Sequence, residues 1–304
     1  MTAPVGASPD RGRPSRLDPA AVRRTLADAG LRARKGLSQN FLADVDVLEA
    51  ILAEAAPAPG RRILEIGPGL GILTAGLLEA GAAVTAVELD EALAARLRSQ
   101  LVASIDRAAD DPTAPGALTL IEGNALDQHL VGLVAPPYDV VANLPYHITS
   151  PILHRLLGEP PRADRLVLMV QREVAERIAA QPGAMSYLSV FVQVHARARV
   201  AFRVAREAFE PAPKVESAVL VLETYDALAP PAADEDDLWR LVQAGFRERR
   251  KMIRNVLARQ LPVPASRVED ALAEVGIAGD RRPQTLSVED WRRLQSAFGP
   301  LPTR

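Results

Sequence analysis

The sequence predicts an α/β fold with a doubly wound, mostly parallel sheet, followed by a small helical domain at the C-terminal end. Three observations predict it. Short apolar runs alternate with helical patterns from residue 62 to residue 170, the rhythm of a parallel sheet with crossover helices. A glycine-rich segment follows the first of these apolar runs, and only helical patterns occur from residue 238 onward.

Composition divides the chain into four parts. At 304 residues the chain is long for a single domain. The parts are a basic, disordered tail at 1–17, an α/β domain at 18–225, a linker rich in Ala, Pro and acidic residues at 226–237, and a helical domain at 238–304.

Composition also narrows the classes of function. The chain has no cysteine, which excludes disulfides and thiolate metal sites, and its four histidines show no metal-ligand spacing. No run of about 18 apolar residues predicts a membrane span, and the first residues lack the apolar core of a signal peptide. We therefore expect a cytoplasmic protein without a metal. The net charge of −2 does not by itself indicate that the protein binds nucleic acid. The positions of the charged residues are therefore more informative than their sum.

Helix signals precede the predicted sheet. Asp18 is a good N-cap, and Pro19 suits the first turn of a helix that runs through Ala29. A second helix is predicted over 44–56, where Pro57 and Pro59 end it.

The predicted sheet follows in order. Strands are predicted at 62–66, 83–87, 118–122, 138–142 and 165–170. Helices are predicted at 72–80, 91–101, 149–157 and 172–180. The valine-rich segment 187–195 fits a strand or a helix equally well. Two more strands are predicted at 200–204 and 217–222, and then helices at 238–260, 267–275 and 288–297, the last with Ser287 as its N-cap.

The glycine-rich segment predicts a nucleotide-type site. Gly67, Gly69 and Gly71 follow the first strand and open a helix, so the backbone can approach a ligand closely. A dinucleotide motif needs Gly-x-Gly-x-x-Gly, and Ile72 occupies its third glycine position. The alternating spacing instead suits S-adenosylmethionine, which has no pyrophosphate.

Two polar strand ends complete this prediction. Glu88 ends the second strand, about twenty residues on, where a carboxylate can bind both ribose hydroxyls. Asn124 ends the third strand and could bind the adenine of the cofactor. The alternatives are a solvated acid for Glu88 and an ordinary Gly-Asn turn for Asn124.

The fourth strand ends in Asn143-Leu144-Pro145-Tyr146. The segment combines an amide oxygen, a main-chain carbonyl held extended before proline, a turn fixed by Pro145, and a flat aromatic face. A primary amine on a planar ring fits this set, and the exocyclic amine of adenine is the natural candidate. The alternative is an ordinary proline turn at the end of a strand.

Together, these motifs resemble the ribosomal RNA adenine N6-dimethyltransferases, specifically the bacterial small-subunit (16S) enzymes associated with kasugamycin sensitivity. The resemblance spans Ser38 to about Leu294. Beyond the residues above, it includes Ser38-Gln39-Asn40-Phe41-Leu42, Thr149-Ser150-Pro151, Phe209-x-Pro211-x-Pro213-Lys214-Val215-x-Ser217, Phe246-Arg247-x-Arg249-Arg250-Lys251-x-x-Arg254-Asn255 and Arg282-Pro283-x-x-Leu286-Ser287. The last two blocks are the most discriminating.

The resemblance implies a class I S-adenosylmethionine-dependent methyltransferase fold. This is a Rossmann-like sheet of seven strands with the last strand antiparallel, and it makes 187–195 a helix. It implies a cofactor site formed by Asn40, Leu42, Gly67, Gly69, Glu88, Asn124 and Asn143, with S-adenosylhomocysteine as product and no metal. Family members often carry Asp where this chain has Asn124.

The implied reaction methylates N6 of two adjacent adenines in a hairpin loop near the 3′ end of 16S rRNA, giving N6,N6-dimethyladenosines. The partner is an immature small ribosomal subunit, and the protein is expected to be a monomer. Asn143 and the Leu144 carbonyl would hold the amine, Pro145 would fix the turn, and Tyr146 and Phe209 would stack on the flipped base. The alternative for Phe209 is an aromatic packed on the core.

RNA contact is expected on the predicted helix 238–260. The spacing of one helical face is shown by four basic residues, Arg247, Arg250, Lys251 and Arg254. Four basic side chains on one face of a helix favour phosphate binding. The alternative is a solvated charged face.

Competing functions remain open on the sequence alone. One is a 23S rRNA or DNA adenine N6-methyltransferase, and another is a mainly non-catalytic ribosome-assembly factor. Intact Glu88 and Asn143 favour an enzyme.

Overall fold

The structure is a computed structural model, and it describes residues 17–37, 39–226, 235–248 and 250–302. The predicted tail lies outside these residues except for Leu17, which packs against the core. Residues 227–234 of the predicted linker also lie outside them, as do Ser38 and Arg249 of the motifs above.

The described strands and helices alternate through the first two thirds of the chain. The strands are β1 (Phe41–Leu42), β2 (Arg62–Ile66), β3 (Ala83–Glu88), β4 (Leu118–Glu122), β5 (Tyr138–Asn143), β6 (Arg165–Gln171), β7 (Ala196–Val204), β8 (Phe209–Glu210) and β9 (Ser217–Thr224). The helices are α1 (Pro19–Asp28), α2 (Val45–Ala55), α3 (Ile72–Glu79), α4 (Glu91–Gln100), α5 (Val102–Asp110), α6 (Thr149–Gly158), α7 (Arg172–Ile178), α8 (Tyr187–His195), α9 (Glu235–Phe246), α10 (Ile253–Gln260), α11 (Ala265–Glu274) and α12 (Val288–Phe298).

Seven strands form the main sheet, in the order β4-β3-β2-β5-β6-β9-β7. The first five strands in this order, from β4 across the sheet to β6, are parallel to one another. Strand β9 is antiparallel to both of its neighbours, β6 and β7. This confirms the predicted seven-stranded sheet with an antiparallel last strand. The chain order reverses between β2 and β5, and ligands bind at the carboxyl ends of strands at such a switch point.

Helices cover both faces of the sheet, which explains why its strands are continuous apolar runs. Val140 and Val141 are both fully buried, and these neighbours in β5 belong to different core clusters. The cluster around Val140 includes apolar residues of α6, α7 and α8, and the cluster around Val141 includes those of α2 and α3. A short ribbon of β1 and β8, paired antiparallel, adjoins the second cluster.

Residues that cap the helices confirm some of the predicted helix starts. The Asp18 carboxylate accepts a hydrogen bond from the main-chain N–H of Ala21 and so caps α1. The segment 187–195 is the helix α8, and Ser186 and Ser189 form a reciprocal capping box at its start. The helix α5 was not predicted: no element was predicted at 102–109, and a loop was predicted from Asp110. None of the residues of α5 is buried.

The prediction of one long helix at 238–260 is wrong. The segment forms two helices: α9 begins at Glu235 and ends at Phe246, and α10 begins at Ile253. The first N–H groups of α10 are bonded outside the helix: Ile253 donates to the carbonyl of Arg281 (2.7 Å) and Arg254 to that of Gly279 (3.2 Å). The turn at 279–281 thus caps a new helix start, a contact that local composition does not encode.

Helices α9 to α12 pack around Trp291, whose side chain is fully buried. The ring lies directly against Gly245 of α9. None of the helices in the described part of the chain has the length and apolar character needed to span a membrane.

We predict that Gly245→Ala destabilises this domain. A Cβ at position 245 would lie 2.4 Å from Cη2 of the rigid Trp291 ring. Overpacking costs up to about 3 kcal/mol, against roughly 1 kcal/mol gained by replacing glycine in a helix. The free energy of unfolding in urea should fall by about 1–2 kcal/mol. Gly36→Ala, with nothing within 4 Å of the added Cβ, is the control. An unchanged or higher stability of Gly245→Ala would contradict this packing.

Candidate active site

A cavity of about 250 Å³ opens at the carboxyl edge of the parallel strands, where the chain order reverses. Loops that follow four consecutive parallel strands line it, together with the segment around β1. The contributing stretches are 65–70, 87–89, 123–126, 143–148 and 39–42. Except for Phe209, every residue predicted for the cofactor or the substrate base lines this cavity.

The glycine-rich loop requires glycine for two reasons. Gly69 and Gly71 have φ values of +59° and +79°, which favour glycine. A Cβ on Gly69 would lie 3.2 Å from the Phe41 ring, and one on Gly71 would lie 2.4 Å from Leu97. The loop therefore packs closely under the N-terminal segment and directs a main-chain N–H of Gly69 at the next strand end.

The carboxylate of Glu88 is held by two main-chain donors. The N–H of Gly69 donates to its Oε2 (2.9 Å), and the N–H of Asp90 donates to its Oε1 (2.8 Å). Glu88 is only 5% exposed, and its burial raises its pKa, although these two donors oppose the rise. Because a carboxylate has about four lone-pair sites, it can still accept from two hydroxyl groups of a ligand.

A second carboxyl lies in the same cavity wall, and the sequence analysis gave it no role. Glu65 is 1% exposed, and burial raises its pKa to about 8, helped by the charge of Glu88. Among the described residues, its Oε2 has no hydrogen-bond partner. Glu65 is therefore mostly protonated at neutral pH and can donate or accept a hydrogen bond inside the cavity.

The Asn143 amide is oriented by the N-terminal segment. Its Nδ2 donates to the main-chain carbonyl of Asn40 (3.2 Å), so its Oδ1 is left as the acceptor. The next residue, Leu144, has a buried side chain and donates its N–H to Met169 (3.1 Å). Within the described part of the chain, no hydrogen bond occupies the Leu144 carbonyl. Its oxygen and Asn143 Oδ1 are therefore two available acceptors on adjacent residues.

The Tyr146 ring is anchored by its hydroxyl. Pro145 turns the chain into a short 3-10 helix that begins at Tyr146. The Tyr146 hydroxyl shares a hydrogen bond of 2.8 Å with Oγ of Ser217, a fully buried residue at the start of β9. Ser217 is the last residue of a motif quoted above, but only the fold reveals that it touches Tyr146.

Phe209 is not exposed for stacking in this structure. It is 2% exposed, pairs with Leu42 through β8 and β1, and packs in the core cluster that contains Met169. Phe209 is therefore an aromatic side chain packed on the core, which was the alternative interpretation. The prediction that its ring faces a flipped base is wrong for this conformation. The reason is the pairing of β1 with β8, which turns the side chain inward.

Gln39 and Asp90 tie the N-terminal segment over the cavity. Gln39 accepts from the N–H of Arg34 (2.8 Å) and donates to the Asp90 carboxylate (3.0 Å). The Arg34 guanidinium lies 3.4 Å from the same carboxylate. This contact fixes the segment that carries Asn40 and Leu42, and neither Gln39 nor Asp90 was predicted as a site residue.

The Asn124 side chain has two hydrogen-bond partners among the described residues. Its Oδ1 accepts from the N–H of Leu126 (3.0 Å), and its Nδ2 donates to Oδ2 of Asp127 (3.0 Å). The residue caps a short 3-10 helix and also lines the cavity.

The predicted RNA-binding residues lie outside the cavity and do not share one helical face. Arg247, Arg250 and Lys251 lie in the turn between α9 and α10, and Arg254 lies in the first turn of α10. We call Arg247, Arg250, Lys251 and Arg254 together the basic turn. All four side chains are exposed. Glu248 lies among them but forms an ion pair with Arg259 (3.1 Å).

No group of three or more His, Cys, Asp or Glu side chains within 17–37, 39–226, 235–248 and 250–302 is arranged to hold a metal ion.

The sequence profile of a known family covers nearly all of this architecture. The family described as ribosomal RNA adenine dimethylase matches residues 30–298. The chain belongs to this family. It is 42% identical over 272 residues to the ribosomal RNA small subunit methyltransferase A of Geobacter sulfurreducens, an alignment that covers 87% of this chain and 95% of that protein.

Solved structures agree with the family assignment. A dimethyladenosine transferase from Plasmodium falciparum matches with a TM-score of 0.70 and 25% identity, over 85% of this chain and 97% of that one. The 23S rRNA methyltransferase ErmE matches with a TM-score of 0.64 and 28% identity, over 85% and 99%. The fold is that of a class I S-adenosylmethionine-dependent methyltransferase, and the chain is an rRNA adenine dimethyltransferase.

We predict that Glu88→Gln weakens the binding of S-adenosylhomocysteine by about 10- to 100-fold, the worth of a hydrogen bond to a charged group. The amide would direct N–H atoms at one of the two main-chain donors that now hold the carboxylate. Isothermal titration calorimetry measures the change.

The matched control for this variant is Glu122→Gln. Glu122 is aligned with Glu88 on the neighbouring strand, but it is exposed and forms an ion pair with Arg98. Equal losses of affinity in the two variants would refute the assignment of Glu88.

Proposed function

We propose that this protein dimethylates N6 of two adjacent adenines in a hairpin loop near the 3′ end of 16S rRNA, during assembly of the small ribosomal subunit. One observation carries the choice of an adenine amine. The Asn143 amide nitrogen is bonded to Asn40, so its carbonyl oxygen is the free end, in the same cavity as Glu88. The choice of the small subunit rests on the 42% identical relative with that name.

The residues of the cavity divide between the parts of the cofactor. S-adenosylmethionine supplies a methyl group on a sulfonium, which is a good leaving group. Glu88 accepts hydrogen bonds from the ribose hydroxyls, and Asn124 binds the adenine of the cofactor. Gly67 and Gly69 let the main chain approach the remainder, with Asn40 and Leu42 covering it.

The acceptors at the end of β5 activate the substrate amine by position. The lone pair of adenine N6 is delocalised into the ring, so the enzyme must direct it at the methyl group. Asn143 Oδ1 and the Leu144 carbonyl accept the two N6 hydrogens and thereby orient the lone pair. Such positioning accounts for much of the rate. No base is needed beforehand, because the nitrogen loses its proton readily once it is methylated.

The base must leave its stack to enter the cavity. Tyr146 supports one face of the flipped ring, a contact worth roughly 1–3 kcal/mol for stacking on an aromatic side chain. Phe209 is buried under β1, so the second face would need a shift of β8 for Phe209 to reach it. We therefore assign the stacking in the first encounter to Tyr146.

The basic turn holds the RNA outside the cavity. Arg250, Lys251 and Arg254 are exposed. None of the three forms an ion pair with an acidic side chain of the described residues. Cations of this kind bind the phosphate backbone. The same proposal includes a monomer that acts in the cytoplasm without a metal.

Methyl transfer to isolated ribosomal subunits tests the proposed function. Unmethylated small subunits and large subunits are each incubated with labelled S-adenosylmethionine, and the modified nucleotides are mapped by mass spectrometry. We expect two adjacent dimethyladenosines near the 3′ end of 16S rRNA and none in 23S rRNA. Label in 23S rRNA alone would favour the large-subunit alternative. Binding to small subunits without any label would favour an assembly factor.

We predict that Ser217→Ala lowers kcat for rRNA methylation by roughly 5- to 10-fold, about the worth of one hydrogen bond. Ser217 acts through the Tyr146 hydroxyl (2.8 Å), so Tyr146→Phe should give the same loss. The double variant should lose no more than either single variant, because the same hydrogen bond is removed. Additive losses would show that the two side chains act independently.

We predict that Arg250→Ala and Lys251→Ala each weaken RNA binding and reduce its salt dependence. Each lost phosphate contact should lower the slope of log K against log salt by about 0.7–0.9. The control is Arg259→Ala in α10, whose side chain is exposed but paired with Glu248. Unchanged slopes in the first two variants would remove the basic turn from the RNA interface.

A further inference from the structure

The orientation of the Asn124 amide is fixed by its neighbours. The two ends of an amide have the same shape but opposite hydrogen-bonding character. The main-chain N–H of Leu126 is only a donor, so it faces Oδ1 (3.0 Å). The Asp127 carboxylate is only an acceptor, so it faces Nδ2 (3.0 Å). Asp127 is exposed, and its carboxylate forms no ion pair with a basic side chain of the described residues.

Asn124 lies where a purine attached to the Glu88-bound ribose would extend. Strand β4 is the direct neighbour of β3, and Glu122 is aligned with Glu88 in their register. Asn124 follows two residues after Glu122 and lines the same cavity as Glu88. A nucleoside held by its ribose at the end of β3 therefore presents its base to the loop after β4.

The free part of the amide complements adenine. An amide has two oxygen lone pairs and two N–H donors, and the two contacts above use one of each. One acceptor and one donor remain for a ligand. Adenine offers an amino donor at position 6 beside a ring nitrogen acceptor, whereas a 6-oxopurine offers an oxygen acceptor beside an N1–H donor. An amide turned by 180° would accept the 6-oxopurine instead.

We propose that Asp127 is a positioning residue that sets the purine specificity of the cofactor site, by holding Asn124 in the orientation that accepts an adenine amino group. The inference rests on the proposed function, since it takes the purine in this cavity to be that of the methyl donor. An Asp at position 124 would have two equivalent oxygens and would need no such neighbour. Asn needs one, and Asp127 supplies it.

The test measures the binding of two nucleosides that differ only at position 6 of the purine. These are S-adenosylhomocysteine and S-inosylhomocysteine, its 6-oxo analogue, titrated calorimetrically into the full-length protein. The quantity of interest is the ratio of their two dissociation constants. The variants are Asp127→Ala, Asp127→Asn, Asn124→Asp and the double variant Asn124→Asp/Asp127→Ala.

We expect Asp127→Ala to reduce the preference for the adenine compound by roughly tenfold, about the worth of one hydrogen bond to a charged group. Asp127→Asn keeps an acceptor oxygen and should retain most of the preference. In the Asn124→Asp background, Asp127→Ala should leave the preference unchanged, because a carboxylate has no orientation to lose.

Two outcomes would overturn the inference. One is an unchanged ratio in Asp127→Ala, and the other is an equal fall in both backgrounds, which would indicate a merely structural role. Failure of the assignment of this cavity to the methyl donor looks different, because the wild-type protein would then bind neither compound. A protein that bound both compounds normally but methylated 23S rRNA would contradict the choice of the small subunit and leave this test intact.

Discussion

The bonds that hold the Glu88 carboxylate organise the site. Its two oxygens join the glycine-rich loop after β2 to the start of α4, through the N–H groups of Gly69 and Asp90. Asp90 in turn binds Gln39, and the next residue, Asn40, accepts from Asn143. These hydrogen bonds, together with the peptide bond between residues 39 and 40, therefore connect Glu88 to the Asn143 amide. Under the proposed function, the ribose and the substrate amine would both meet groups that are already held in place.

Two asparagines work by the same principle in this cavity. Asn143 and Asn124 each give an amide N–H to a neighbour, Asn40 or Asp127, and each retains an oxygen acceptor. An amide can both donate and accept, so it recognises an adenine edge only after its orientation is fixed. In the proposed site, the neighbours would therefore contribute to specificity, although the asparagines would make the contacts with the ligands.

The sequence predicted what depends on local pattern. The buried strands are continuous apolar runs, and the motif from Gly67 to Glu88 spans a single strand–helix–strand unit. The failures involve contacts between distant segments. The break before Ile253 depends on carbonyls near residue 280, and the burial of Phe209 depends on pairing with Leu42. Neither partner is visible in the local sequence, nor is the bond between Tyr146 and Ser217.

The most direct test of the account is a crystal structure of the protein with S-adenosylhomocysteine. If the site is prepared as described, the ribose hydroxyls will bind Glu88 while Gly69 and Asp90 keep their bonds to its carboxylate. The Asn143 amide will still donate to Asn40, with its oxygen facing the sulfur side of the cavity. A ribose bound away from Glu88, or an Asn143 amide turned by 180°, would contradict the account.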